Sequence, residues 1–212
     1  MSYRLKKQDL NPEQKSALEQ KRKHLQMQLQ AKGYIKSGIQ FHWLDYYNNM
    51  KALHMQCNIE WLCAATPEEQ PYFAAAITAL HHPDLKPEMV MVNKESLLDK
   101  ICKDFPSISQ FKYVMDLPLL MQYERNTKEA LLLAQEQLTI EDSLVYFLST
   151  DCCPLLQLHW AELLEHSNEI FDNSPTSLIF TDLNYTWIIF RSIENEWRCG
   201  HTRLAEHSIA AF

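Results

Sequence analysis

Hydrophobic residues change their spacing repeatedly along this chain, and the changes mark out its elements. Asn58 to Ala65 is a short apolar run of the length of a buried strand. Thr66, Pro67 and Glu69 then form a capping box with proline at the first helical position, and Tyr72, Phe73, Ala76, Ile77 and Leu80 follow at helical spacing to about His82. Glu88 to Val92 is expected as a strand. Asn93 is expected to cap a helix in which Leu97, Leu98, Ile101 and Cys102 share a face until Phe105 and Pro106. A second capping box, Asn126 with Glu129, opens a helix over Thr127–Leu138, and Ser143–Ser149 is dense in β-favouring residues. Ser177–Thr181 and Tyr185–Arg191 flank Asp182, Leu183 and Asn184, whose short polar side chains suit a tight reversal between antiparallel strands.

At the N-terminal end, Asn11, Pro12 and Glu13 supply an N-cap, a first-turn proline and a dipole-compensating acid for a helix that Gly33 can end. Its apolar residues form a thin stripe, interrupted by the basic turn Lys21, Arg22, Lys23 and His24. An aromatic segment with Phe41, Trp43, Tyr46 and Tyr47 comes next. The expected architecture is α+β: a mixed β-sheet of about five strands flanked by helices, with a C-terminal β-hairpin and an N-terminal basic helix. The composition shift between Gly33 and Gly38 divides a basic helical arm, residues 1–36, from an acidic α+β body, residues 37–212.

With 212 residues, 46% of them hydrophobic, the chain can bury a sizeable core. Its six cysteines have no repeated spacing and two are adjacent, which fits reduced thiols and a cytoplasmic location better than a disulfide framework. The polar, charged start of the chain lacks the apolar stretch of a signal peptide, and no run approaches a membrane span. Three glycines are too few for a phosphate-cradling loop, and no cofactor is implied.

Charge changes the picture most. The net charge of −7 conceals residues 1–36, with nine Lys/Arg against three Asp/Glu, and residues 129–212, with three Lys/Arg against thirteen Asp/Glu. The acidic stretch carries Glu162, Glu165, Glu169, Asp172, Glu194 and Glu196 alongside Trp160, Tyr185, Trp187 and Trp197. Acidic residues steer association with a cationic protein, and aromatics such as Trp187 and Trp197 would anchor the interface, unless they fill the core while the acids only solvate the surface.

Catalytic alternatives are narrower. Asp151, Cys152 and Cys153 follow an expected strand and precede a helix that Pro154 would open, and a helix N-terminus lowers a thiol pKa. The histidine base would be His159 or, more distantly, His201 or His207. The phosphatase spacing of cysteine, five residues and arginine fails, because His159 stands six after Cys153. His159, Glu162 and His166 at intervals of three and four would share a helix face able to hold a metal, but they match no established ligand pattern, and a solvated face is the simpler reading. His81, His82, Asp84 and Glu88 lie among prolines in an expected surface loop. Lys21, Arg22 and Lys23 could meet nucleic-acid phosphates, although no aromatics interleave them.

In general style, an acidic aromatic C-terminal half without a catalytic signature resembles the small acidic bacterial inhibitors and immunity proteins. That likeness implies a stoichiometric protein-binding module, such as an immunity protein or antitoxin-like inhibitor, whose acidic surface covers the basic active site of a toxin or nuclease. The alternatives are a cysteine-dependent hydrolase or transferase using Cys152 or Cys153, and a nucleic-acid accessory protein.

Overall fold

The structure is a computed structural model that describes residues 11–40, 43–92, 97–107, 116–122, 126–149 and 154–202; over residues 37–40 only the backbone is described. Six helices are present among these residues: α1 Pro12–Gln40, α2 Trp43–Ala52, α3 Gln70–Thr78, α4 Leu97–Asp104, α5 Thr127–Leu138 and α6 Trp160–Phe171. The strands are β1 Cys57–Trp61, β2 Cys63–Ala65, β3 Val90–Val92, β4 Leu119–Met121, β5 Leu144–Ser149, β6 Leu155–His159, β7 Leu178–Asp182, β8 Trp187–Arg191 and β9 Trp197–His201.

Seven strands form one sheet in the order β1-β6-β5-β7-β8-β9-β4, and every pairing in it is antiparallel. The expected α+β class holds, with two more strands than the expected five in the main sheet. Parallel pairing is confined to a separate two-stranded unit of β2 and β3. The run from Asn58 to Ala65 is therefore two strands. The chain turns at buried Leu62, whose N–H donates to the Met89 carbonyl at 3.2 Å, and leaves the large sheet for the small one.

Alternation along the central strands explains why their sequences read as continuous apolar runs. Leu178 and Phe180 of β7, with Trp187 and Ile189 of β8, join a core that includes residues of α2, α5 and α6. Ile179, Ile188 and Phe190 point the other way, into a second core capped by Leu97 and Ile101 of α4 and by Phe105. A sheet buried on both faces has no solvent side to make polar. On the larger side, Phe147, Phe171 and Phe180 meet with ring centroids 4.9–5.4 Å apart, and Tyr46 of the aromatic segment, which is helix α2, packs on Phe147.

Local signals in the sequence formed as their chemistry directs. The Asn11 N–H donates to Gln14 Oε1 at 3.1 Å and the Gln14 N–H returns to Asn11 Oδ1 at 2.8 Å, so the first helix opens with a reciprocal capping box. The Glu69 N–H donates to Thr66 Oγ1 at 3.3 Å and the Thr66 N–H to Glu69 Oε2 at 3.1 Å, but this pair closes a turn ahead of the helix: α3 opens at Gln70 with Glu69 as its N-cap and ends at Thr78, short of the expected His82. At α5, the Glu129 N–H donates to Asn126 Oδ1 at 3.2 Å, and the helix spans the expected Thr127–Leu138. The hairpin joins β7 and β8, with Asp182 Oδ1 accepting the Thr186 N–H at 2.6 Å and Tyr185 in the left-handed region at φ 56°.

Two other expectations fail. Gly33 does not end α1, which continues to Gln40, so the boundary expected at residue 36 falls within a helix. Glycine terminates a helix only where a positive φ is needed, and the contacts of Ala31 and Ile35 with the body hold this one in register past it. Pro154 leads into strand β6, not a helix, because Leu155 to His159 pairs with β1 on one side and β5 on the other. Proline fixes φ and lacks an N–H, a combination tolerated before a strand as well as at a helix start.

Candidate functional site

Glu169, Asp172 and the β8–β9 turn that carries Glu194 and Glu196 lie at the end of α6, whereas Glu162 stands in its first turn. The Arg191 guanidinium, buried at the end of β8, donates through Nη1 to the carbonyl of Phe171, the last residue of α6, at 2.6 Å. Through Nε it donates to Asn195 Oδ1 at 2.9 Å, while its plane lies 5.8 Å from the Trp197 ring centroid. This one side chain fixes the β8–β9 turn, residues 192–196, against the end of α6. Asn195 takes a left-handed φ of 62°, and the Ser192 hydroxyl accepts the N–H groups of Glu194 and Glu196 at 3.2 and 3.0 Å, so the turn is internally braced.

The first turn of α5 is tied to the same place. Asp172 Oδ1 accepts the Thr127 N–H at 2.8 Å, and Asn168 Oδ1 accepts the Lys128 N–H at 2.7 Å. Both side chains satisfy amide donors that the start of a helix leaves without an intrahelical acceptor. The ends of α5 and α6 and the β8–β9 turn thus converge.

The six acids expected to meet a partner divide into two groups. Glu165, Glu169 and Glu194 are exposed, Glu194 while also engaged within the fold. Glu162, Asp172 and Glu196 are half-buried and occupied within the fold: Glu162 Oε2 accepts the Gln56 N–H at 2.9 Å, Asp172 caps α5, and Glu196 Oε1 pairs with Arg198 Nη2 at 2.7 Å.

The aromatic anchors are a correction. Trp187 is 7% exposed and Trp197 fully buried, as are Trp160 and Tyr185 to within a few per cent, so these residues build the core. Trp160 and Trp187 meet edge to face at 5.9 Å. Exposed apolar side chains do exist beside the acids, but they are Ile193 in the β8–β9 turn, 52% exposed, and Leu132 and Leu133 on the outer side of α5 near Glu129 and Glu136. A period of about 3.6 residues places Leu132 opposite buried Ala130 and Ala134, a signal present in the sequence, while Leu133 lies nearer the buried side. Nothing in the sequence singles out Ile193 before the turn is known.

Of the catalytic candidates, Cys152 and Cys153 lie outside the described residues, as does His207. His159 closes β6 and sits in extended backbone at the N-cap of α6, one position before the helix that carries Glu162 and His166, and its side chain makes no cap hydrogen bond. The cap is supplied instead by Asp142, whose Oδ1 accepts the Ala161 N–H at 3.1 Å. Among the described residues, no three His, Cys, Asp or Glu side chains are grouped to hold a metal ion. Cys57, Cys63, Cys102 and Cys199 are free thiols. Burial, helped by the Glu162 carboxylate, pushes Cys57 up to about 12, and burial pushes Cys199 up to about 11 and raises Cys102. A thiol nucleophile needs the opposite shift.

The basic helix lies on the body along one side. Lys23 Nζ meets Glu68 Oε2 at 2.7 Å, an exposed pair that raises the lysine and lowers the carboxylate. Next to it, His24 Nδ1 and the Tyr72 hydroxyl share a hydrogen bond of 2.6 Å, and Tyr34 packs edge to face on Phe73 of α3. Lys21 and Arg22 are exposed on the other side of α1, beside exposed Leu18, Leu25 and Leu29.

No helix among the described residues is long and apolar enough to cross a membrane. Comparison with known protein families, curated proteins and solved structures gives no match to this chain, so its function is argued from the geometry above.

Proposed function

We propose that the protein is a stoichiometric protein-binding module of the cytosol, without turnover of its own, whose acidic surface covers a basic site on a partner protein. A toxin or a nucleic-acid-processing enzyme has such a site, which makes an inhibitor or immunity role the natural extension.

The observation that carries this reading is the exposure of Glu165 and Glu169 on α6 and of Glu194 and Ile193 in the β8–β9 turn, which Arg191 braces against the end of that helix. Carboxylates on rigid elements steer a cationic partner at long range, and a projecting isoleucine supplies apolar area to bury at contact. The free thiols of the described cysteines fit a reducing compartment.

The test is capture of the tagged protein's partner at low and moderate salt, with Glu165→Gln/Glu169→Gln/Glu194→Gln as the comparison. A basic protein recovered in near-stoichiometric amount, released by salt and lost with the triple variant, is the expected result. Binding that is indifferent both to salt and to the three substitutions would sink the electrostatic reading.

A further inference from the structure

The outward face of α1 is a surface that the acidic junction does not use. Leu18, Leu25 and Leu29 are 52%, 47% and 70% exposed. Their spacing of seven and four residues sets them in one line along the helix, because each residue turns about 100°. Lys21 and Lys32 flank this line on one side and Arg22 on the other, all three exposed. The carboxylates of α1, Glu13 and Glu19, project about 100° or more away from the line. Ala31 and Ile35, buried against the body, fix which side of the helix faces out.

We infer that this face of α1 is a second docking surface, for an acidic leucine-bearing helix of another protein. A leucine line with cations on both flanks has the layout of a helix-pairing seam, and partner choice in such seams follows the flanking charges. Those charges exclude a second α1, since pairing like faces would set Lys21, Arg22 and Lys32 against their own copies. The chain's ends are equally unsuited as covers: residues 1–10 carry Arg4, Lys6 and Lys7 against Asp9, and residues 203–212 carry Glu206 as their one acid. Helices that lie on a lipid surface bury a broad apolar face with aromatic residues in it, whereas this line has three leucines and no aromatic residue among them.

The probe is a synthetic capped peptide about three heptads long, with leucine at the seam positions and glutamate at the flanks, titrated into the whole protein by fluorescence anisotropy. A peptide of the same composition in scrambled order is the control. Binding to the ordered peptide is expected to weaken with salt, by about tenfold or more on Leu25→Ser or Leu29→Ser, and similarly on Lys21→Glu/Arg22→Glu. The substituted side chains are exposed, so circular dichroism should show the fold unchanged. Equal affinity for the scrambled peptide, or affinity untouched by the leucine substitutions, overturns the inference. Tighter binding to phosphatidylserine vesicles or to a DNA duplex than to the peptide overturns it too. So does concentration-dependent self-association abolished by Leu25→Ser, which would assign the face to a second copy. Because Glu165, Glu169 and Glu194 are not involved, the triple glutamine variant should bind the peptide normally, which separates this result from that of the acidic junction.

Discussion

The Asp172 carboxylate at the end of α6 accepts the Thr127 N–H at the start of α5 at 2.8 Å, so one helix terminus caps another. Its acidity serves the fold before any partner. Asp172→Ala should cost about 1 kcal/mol by chemical denaturation, and Asp172→Asn, which keeps the acceptor, a few tenths. Partner affinity of the folded Asp172→Asn protein should be close to that of the parent.

Trp197 and Ile193 stand four residues apart with opposite exposure. Trp197→Ala should destabilise by roughly 3–5 kcal/mol through the lost apolar contact and the cavity left behind, seen as a large fall in denaturation midpoint. Ile193→Ser should change stability by less than about 0.5 kcal/mol and lower partner affinity instead.

Gly33 is helical, and a methyl group placed on it would meet nothing within 4 Å. Gly33→Ala should therefore stabilise the protein by about 0.5–1 kcal/mol, by narrowing the backbone freedom of the unfolded chain and favouring helix. A thermal melt that shifts downward would contradict the continuous helix.

The Cys57 and Cys199 thiols keep their protons in the folded protein up to about 12 and about 11, against 9.0 in the unfolded chain. The unfolded state thus loses protons first, and the stability these thiols contribute is complete below the unfolded value. It is lost as pH rises through that value toward the folded ones, at a limiting slope near ~1.4 kcal/mol per pH unit for each thiol. Denaturation measured across this alkaline range should show the decline, and Cys57→Ala should make it shallower. Alkylation at mildly alkaline pH should be far slower at Cys57 in the native protein than after unfolding.

What was legible in the sequence was local. The Asn126–Glu129 capping box, the Thr66–Glu69 box and the Asp182 turn each depend on residues a few positions apart, and each formed. Pro154 and Gly33 misled because one residue type suits two backbone settings, and distant contacts select between them. The tryptophans were ambiguous for a related reason. An alternating strand sequence shows which residues share a side, but two buried sides make every apolar residue interior. Of the candidate site, the acids could be named in advance. Which of them remain exposed could not, since Glu162 and Asp172 are occupied by amides 106 and 45 residues away.

The strand order has a consequence for synthesis. Both edges of the sheet are early strands laid beside later ones: β1 is held by β6, with Cys57 opposite Leu158, and β4 by β9, with Leu119 opposite Arg198. During translation the first sheet strand must wait for about a hundred further residues to emerge before it has a neighbour, and β4 waits nearly to the end of the described chain. Strand edges of the nascent protein therefore stay unpaired well after they emerge, and the two edges of the sheet close at different times, β1 once β6 is made and β4 only after β9.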